Sequence, residues 1–273
     1  MARDASAALI DPSSQAARDT AALIVEALGV RVGARTLVEN LSLSLRAGEL
    51  LAILGRNGSG KSLTLHTLAG LRAAHSGRVL LDGQTLATQS RRRIARRIGL
   101  LLQDREEALA LSVEESTLIG RHPHLTFWQR ESAADLAIAR AALQRVGLTD
   151  CAQRSISTLS GGEQRRAAIA ALLTQQPQVY LLDEPTNHLD PHHQIDILKL
   201  FRALCGEGAS IIATLHDPTL AERFADRVLL LYGDGRYRLG NAAEVLSAES
   251  LSTLYLTPID AVGSAPRRAF IPQ

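Results

Sequence analysis

Eight consecutive residues, Gly55-Arg56-Asn57-Gly58-Ser59-Gly60-Lys61-Ser62, constrain this chain more than any other stretch. They fit the pattern G-x-x-x-x-G-K-[ST], a loop whose backbone N–H groups cradle phosphate oxygens. The apolar run Glu49-Leu50-Leu51-Ala52-Ile53-Leu54 before them reads as a buried strand, and Leu63-Thr64-Leu65-His66-Thr67-Leu68-Ala69 after them suits a helix. Strand, loop and helix in that order is the context the pattern requires. Glycines let the loop curl inward, and the helix that follows adds the positive end of its dipole. Gly55 to Leu63 are thus the expected phosphate-binding residues, with Lys61 on the β- and γ-phosphates and the Ser62 hydroxyl on Mg²⁺. Composition sharpens the role of Lys61. Lys61 and Lys199 are the only lysines among 30 Lys and Arg residues, so lysine here is not background usage. A compact ammonium fits between phosphate oxygens where a planar guanidinium does not.

A second apolar run, Val179-Tyr180-Leu181-Leu182, ends in Asp183-Glu184. Parallel sheets place their ligands at the carboxyl ends of strands. Asp183 is therefore expected to hold Mg²⁺, directly or through water, and Glu184 to face the attacking water and accept its proton. An ordinary strand end with exposed acids is the plain alternative, and the phosphate loop upstream argues against it. A third motif, Leu159-Ser160-Gly161-Gly162-Glu163, would present consecutive N–H groups and the Ser160 hydroxyl at a helix start. Ser160 and Glu163 also have capping-box spacing, and both readings hold together. One γ-phosphate does not need two anion sites in one chain. A second copy arranged head to tail would use both.

Between the motifs, strands alternate with helices, which argues for a mainly parallel sheet with crossover helices. Leu23–Val32 and Leu37–Leu45 read as a hairpin turned at Gly33-Ala34-Arg35, with Leu41, Leu43 and Leu45 on one face. Residues 104–175 change to a helical pattern: Leu136, Ala139, Leu143 and Val146 recur at helical spacing, Gly147 is a stop, and Pro177 follows a second helix. The expected fold class is α/β: a P-loop NTPase core, an antiparallel β subdomain and an inserted α-helical subdomain. Residues 1–20 read as a flexible leader, 21–257 as the ATPase domain and 258–273 as a C-terminal tail.

The bulk properties exclude several classes. A net charge of +2 gives no field to recruit nucleic acid, and 3% aromatic residues leave little for base stacking. The run Arg91-Arg92-Arg93-Ile94-Ala95-Arg96-Arg97 lacks interleaved aromatics and reads as an exposed helix face. No apolar run reaches the ~18 residues needed to span a bilayer. With Asp4 and Asp11 and no apolar core, the first residues do not read as an export signal. Cys151 and Cys205 match no metal or redox spacing and read as free thiols in a reducing cytoplasm. His188, His192 and His193 read as exposed loop and helix-start residues rather than metal ligands.

Taken together, the loop at 55–62, Leu159-Ser160-Gly161-Gly162-Glu163 and Leu181-Leu182-Asp183-Glu184 resemble the ATP-binding subunit of ABC transporters over about residues 23–257. That resemblance implies ATP and Mg²⁺, a homodimer closing around two ATP molecules, and an integral membrane permease as partner. By the same resemblance Gln103 touches Mg²⁺ and senses the permease, Asp190 in Asn187-His188-Leu189-Asp190 is the acidic D-loop position, and His216 in Leu215-His216-Asp217 reaches the γ-phosphate. Lys61, Glu184 and His216 are then the catalytic set, and Ser62, Gln103 and Asp183 the metal set. The family's aromatic that stacks on adenine is missing: its place falls on Val32 or Arg31. Shorter pieces, Gly120-Arg121-His122-Pro123-His124, Val146-Gly147-Leu148, Asp183-Glu184-Pro185-Thr186-Asn187-His188-Leu189-Asp190 and the stretch from Glu244-Val245-Leu246-Ser247 to Tyr255, resemble importers of iron–siderophore, haem or cobalamin. That subgroup implies a periplasmic or surface substrate-binding protein, no nucleic acid, and a peripheral place on the cytoplasmic face of the inner membrane. Competing readings are an ABC ATPase of another transporter class, a non-transport ABC ATPase and a small-molecule kinase. The last has no use for Leu159-Ser160-Gly161-Gly162-Glu163.

Overall fold

The structure is a computed structural model that describes residues 21–103, 111–126, 128–265 and 267–273. The leader assigned to residues 1–20 lies outside the described residues.

Strands β1 (Ala21–Val32) and β2 (Arg35–Arg46) form the expected hairpin. Its turn is Gly33-Ala34, with Gly33 at φ +56°, a left-handed backbone that glycine adopts without penalty. Leu41, Leu43 and Leu45 all point inward and are buried. With β4 (Ser76–Leu81) and β5 (Gln84–Thr85) the hairpin makes an antiparallel sheet in the order β2-β1-β4-β5.

The second sheet carries the chemistry. Its members are β3 (Leu50–Gly55), β6 (Ile98–Leu101), β7 (Val179–Leu182), β8 (Ser210–Thr214), β9 (Arg227–Leu231) and β10 (Tyr237–Asn241), in the order β10-β9-β3-β8-β7-β6. All neighbours run parallel except β9 and β10. Every residue of β3, β7 and β8 is buried. Sheets covered on both faces need such unbroken apolar strands, which is why these segments read as apolar runs rather than alternations. The register pairs Ile53 with Thr214, Leu182 with Ala213 and Leu101 with Leu182. The carboxyl ends of β3, β8, β7 and β6 therefore lie side by side, and the next residues of each are the phosphate loop, Leu215-His216, Asp183-Glu184 and Leu102-Gln103.

Helices complete the core and the inserted subdomain. Helix α1 (Lys61–Leu68) follows the phosphate loop, and α2 (Arg91–Arg97) precedes β6. The subdomain contains α3 (Val113–Leu118), α4 (Ala133–Arg145) and α5 (Gly161–Gln175). Each of these three starts in a capping box, closed by Ser112, Ser132 and Ser160. The inner face of α4 is Asp135, Ala139, Ala142 and Leu143, with Leu136 only half-buried. Asp135 is buried because Arg121 bonds it at 2.7 Å. Bonds from Ser132, and then Arg121, hold its carboxyl down at about 2. The arginine run serves intramolecular contacts: Arg92 and Arg96 donate to the Pro123 carbonyl at 3.0 and 2.8 Å, and Arg97 pairs with Asp82 at 2.6 Å.

Helices α6 (Pro191–Gly206), α7 (Pro218–Phe224), α8 (Ala242–Val245) and α9 (Ala248–Tyr255) cover the remaining core. The segment assigned to a tail forms a hairpin of β11 (Ile259–Val262) and β12 (Ala269–Pro272), with Ile259 and Phe270 buried and Arg268 paired to the buried Glu222 on α7. Cys151 and Cys205 are free, and burial pushes the Cys205 thiol up to about 11. Among the described residues no helix is long and apolar enough to cross a membrane.

Candidate active site

A cleft of about 680 Å³ opens at the carboxyl ends of β3, β8, β7 and β6. Asn57, Gly58, Gly60, Lys61, Ser62 and Leu63 form one wall. Gln103, Glu184, Asn187 and His216 also line it, as do Val32, Arg35 and Leu37 of the hairpin.

The loop wall follows from its glycines. Gly58 and Gly60 have φ of +74° and +101°, and a Cβ on Gly60 would stand 3.0 Å from the Leu37 Cβ. A side chain there would thus be strained by the backbone and crowded against Leu37. Helix α1 begins at Lys61 with no side-chain cap and no acid in its first turn. Its leading N–H groups have no intrahelical partner, so they remain available to an anion. Lys61 is buried, and its ammonium donates to the carbonyls of Gly55 at 2.8 Å and Arg56 at 3.3 Å. Burial pulls its pKa below the usual lysine range, and Glu184 and Asp183 oppose that pull. The Ser59 hydroxyl is buried in the loop without a hydrogen-bond partner. An unengaged buried hydroxyl and open helix N–H groups fit a polyphosphate. Ser62, Gln103 and Asp183 offer only oxygen donors to a cation, the chemistry that suits Mg²⁺.

The rest of the lining centres on Glu184. One carboxylate oxygen contacts His216 Nε2 at 2.5 Å, and the other accepts from Gln103 Nε2 at 3.0 Å and from the Asn187 amide. Its main chain lies in the left-handed region, φ +48°, which for a residue other than glycine costs about 1–3 kcal/mol. Bonds on both sides hold it there. The Glu184 N–H donates to the Thr214 hydroxyl at 2.8 Å, and the Glu184 carbonyl accepts from Arg165 at 2.7 Å. Thr214 also donates to Asp183 at 2.8 Å, which leaves Asp183 buried behind the cleft wall.

Lys61, Ser62, Gln103, Glu184 and His216 all line one cleft, whereas Asp183 does not. Val32 lines the cleft, while Arg31 does not and bonds Thr36 at 2.7 Å. Ser160, Gly161 and Gly162 do not line the cleft. They start α5, where a Cβ on Gly162 would lie 3.3 Å from the His188 carbonyl. Ser160 closes its capping box with Glu163, and these bonds hold the Glu163 carboxyl below the usual range. Asp190 caps α6 through the His193 N–H at 2.9 Å. Among the described residues no group of three or more His, Cys, Asp or Glu is placed to hold a metal.

Asn187, Thr214, Arg165 and Arg35 were not singled out from sequence. Asn187 lies within the segment that follows Glu184, a signal that could have found it. Arg35 is fixed by donating to the Gly233 carbonyl at 2.9 Å.

Comparison with known proteins agrees with this geometry. The ABC transporter family model matches residues 38–187. Hemin import ATP-binding protein HmuV of Pseudomonas fluorescens is 42% identical over 85% of this chain and 92% of its own length. Ferric enterobactin transport ATP-binding protein FepC of Escherichia coli is 38% identical over 84% of this chain and 85% of its own. A solved structure described as an inward-facing conformation of a metal-chelate type ABC transporter superposes with a TM-score of 0.81 at 29% identity, covering 93% of this chain and 98% of that one. The cleft built on Gly55–Leu63, the carboxylates that end β7 and the extent of these matches make this chain a member of the ABC transporter family, as one of its ATP-binding, ATP-hydrolysing subunits.

Proposed function

We propose that this chain energises import of an iron–siderophore, haem or cobalamin-type substrate through a separate membrane permease, as a peripheral subunit on the cytoplasmic face of the inner membrane. The names of the relatives support the substrate class, and a substrate-binding protein completes such a system. The observation that carries the chemistry is Glu184, held by Gln103, Asn187 and His216 in the cleft that Lys61 also lines. Glu184 accepts the proton of the attacking water. His216, in contact with that carboxylate, orients it and meets the γ-phosphate. Lys61 leaves the Gly55 and Arg56 carbonyls for the β- and γ-phosphates, and the loop N–H groups hold the remaining oxygens. Ser62, Gln103 and, directly or through water, Asp183 would hold Mg²⁺, which would neutralise phosphate charge.

Half of the phosphate site comes from a second copy of the chain. Ser160-Gly161-Gly162 lie outside their own cleft, so they serve the nucleotide of the other copy in a head-to-tail dimer. ATP binding closes the dimer, and hydrolysis reopens it. At the base end Val32 gives apolar contact without stacking.

Proteoliposomes that carry this chain together with a cognate permease test the reading. ATP-dependent uptake of haem, a ferric siderophore or cobalamin is expected, and it is lost with Glu184→Gln. Uptake of none of the three would overturn the substrate class. Turnover like wild type in Glu184→Gln would overturn the mechanism.

A further inference from the structure

Arg165 lies on α5, five residues after Ser160, and is 5% exposed. Its guanidinium reaches past its own helix to the main chain of two strands. Nη1 donates to the Leu102 carbonyl at 2.5 Å and lies 3.5 Å from that of Gln103, just beyond β6. Nη2 donates to the carbonyls of Asp183 and, at 2.7 Å, Glu184, just beyond β7. One planar fork thus bridges the backbone that presents Gln103 to the backbone that presents Glu184. The second of these is the left-handed residue, whose N–H is fixed from the other side by Thr214 at 2.8 Å. Such a backbone conformation persists only where its surroundings over-determine it. A lysine cannot replace this fork, because an ammonium presents no two parallel N–H pairs in one plane.

We propose that Arg165 is a positioning residue that couples α5 to the aim of Glu184 and Gln103. This rests on the reading that Ser160-Gly161-Gly162 meet the nucleotide of a second copy. When that nucleotide seats the start of α5, Arg165 carries the seating to the backbone of Glu184 in its own cleft. Each site then reports its occupancy to the other through one side chain. In this reading Arg165 acts through the carbonyls it holds, those of Leu102, Asp183 and Glu184.

The test compares Arg165→Gln and Arg165→Lys with the native chain in ATP turnover, ATP affinity and melting temperature. Misaim of a general base by about 1 Å lowers rate by roughly 100-fold. Both variants are expected to lose roughly 10–100-fold in kcat with ATP affinity within about twofold. The lysine variant, which keeps the charge, is expected to recover little. Arg165→Gln combined with Glu184→Gln is expected to retain the ATP-dependent dimer that Glu184→Gln forms alone. Turnover within twofold of native, or full rescue by lysine, would overturn the proposal. So would loss of the dimer in the double variant alone, because Arg165 would then merely support α5. A Glu184→Gln chain that never dimerises would count against the dimer itself, and the turnover of Arg165→Gln and Arg165→Lys would still decide the role of Arg165. Should Arg165→Gln not fold, Thr214→Val opens the other side of the same clamp. The same loss of kcat is expected there, with recovery in Thr214→Ser, and native turnover in Thr214→Val would overturn the clamp.

Discussion

Two helices in this protein start with glycine and serine, and their ends are built in opposite ways. Helix α1 is led by Gly60, with no side-chain cap and no acid in its first turn. Helix α5 is led by Ser160, whose hydroxyl accepts from the Glu163 N–H while the Glu163 carboxylate accepts from both the Ser160 N–H and hydroxyl. The first end leaves its donors open, and beside it Lys61 is buried against loop carbonyls that a phosphate can displace. The second end carries its own anion. An open end can bind nucleotide in an isolated chain, whereas a closed end needs a geometry that brings phosphate to Gly161 and Gly162 past Glu163. The cleft contains the first end and not the second. Under the proposed head-to-tail dimer, the asymmetry would give initial binding to α1 and a later, assembly-dependent contact to α5.

Substitutions at the two ends should separate these roles. The largest effect belongs to Lys61→Ala. Loss of a charged hydrogen-bonding partner costs about 1.5–3 kcal/mol, so ATP affinity measured by calorimetry should fall roughly 10- to 100-fold. Unchanged affinity would remove the assignment of the open end. Ser160→Ala should act differently. Removing the cap costs about 1 kcal/mol, so the melting temperature should fall by about 2–4 °C. Turnover should drop while ATP binding to the isolated chain stays near native. Equal weakening of ATP binding by Ser160→Ala and Lys61→Ala would place both ends in one site and break the contrast. The smallest effect is expected from Glu163→Gln. Glutamine retains the capping box but removes the negative charge at the α5 N-terminus. A charge near a helix end is worth about 0.3–1 kcal/mol, so the ATP-dependent dimer should tighten by roughly two- to fivefold. A weaker dimer would mean that the carboxylate itself takes part in closure.

These two ends were legible in the sequence because their chemistry is local. Glycine spacing, a lysine in an arginine-rich chain and a Ser-x-x-Glu box all lie within a few residues. Asp183 and Glu184 were legible for a related reason, since an apolar strand ending in acids needs no long-range information. What escaped reading depends on tertiary juxtaposition. Arg165 meets Leu102 across 63 residues of sequence, and Thr214 meets Glu184 across 30. Nothing in the helical period of α5 marks a buried arginine as a backbone clamp. The base end shows a second kind of loss. Strand β1 slips register between Val30 and Arg31, so simple alternation did not decide whether Val32 or Arg31 faces the cleft. The final hairpin was missed because its strands, Ile259–Val262 and Ala269–Pro272, are four residues each and flank Gly263 and Pro266. Strands that short carry too few alternations to stand out from a loop.

The central claim is that the open and the closed ends meet on one nucleotide only when two copies of the chain assemble. The most direct measurement is the mass of Glu184→Gln by light scattering, with and without Mg²⁺ and ATP, alongside the same chain carrying Ser160→Arg. The account predicts a monomer without ATP, a dimer with ATP, and a return to monomer when an arginine blocks the start of α5. A Glu184→Gln chain that stays monomeric at saturating ATP, or a dimer that persists with Ser160→Arg, would contradict it.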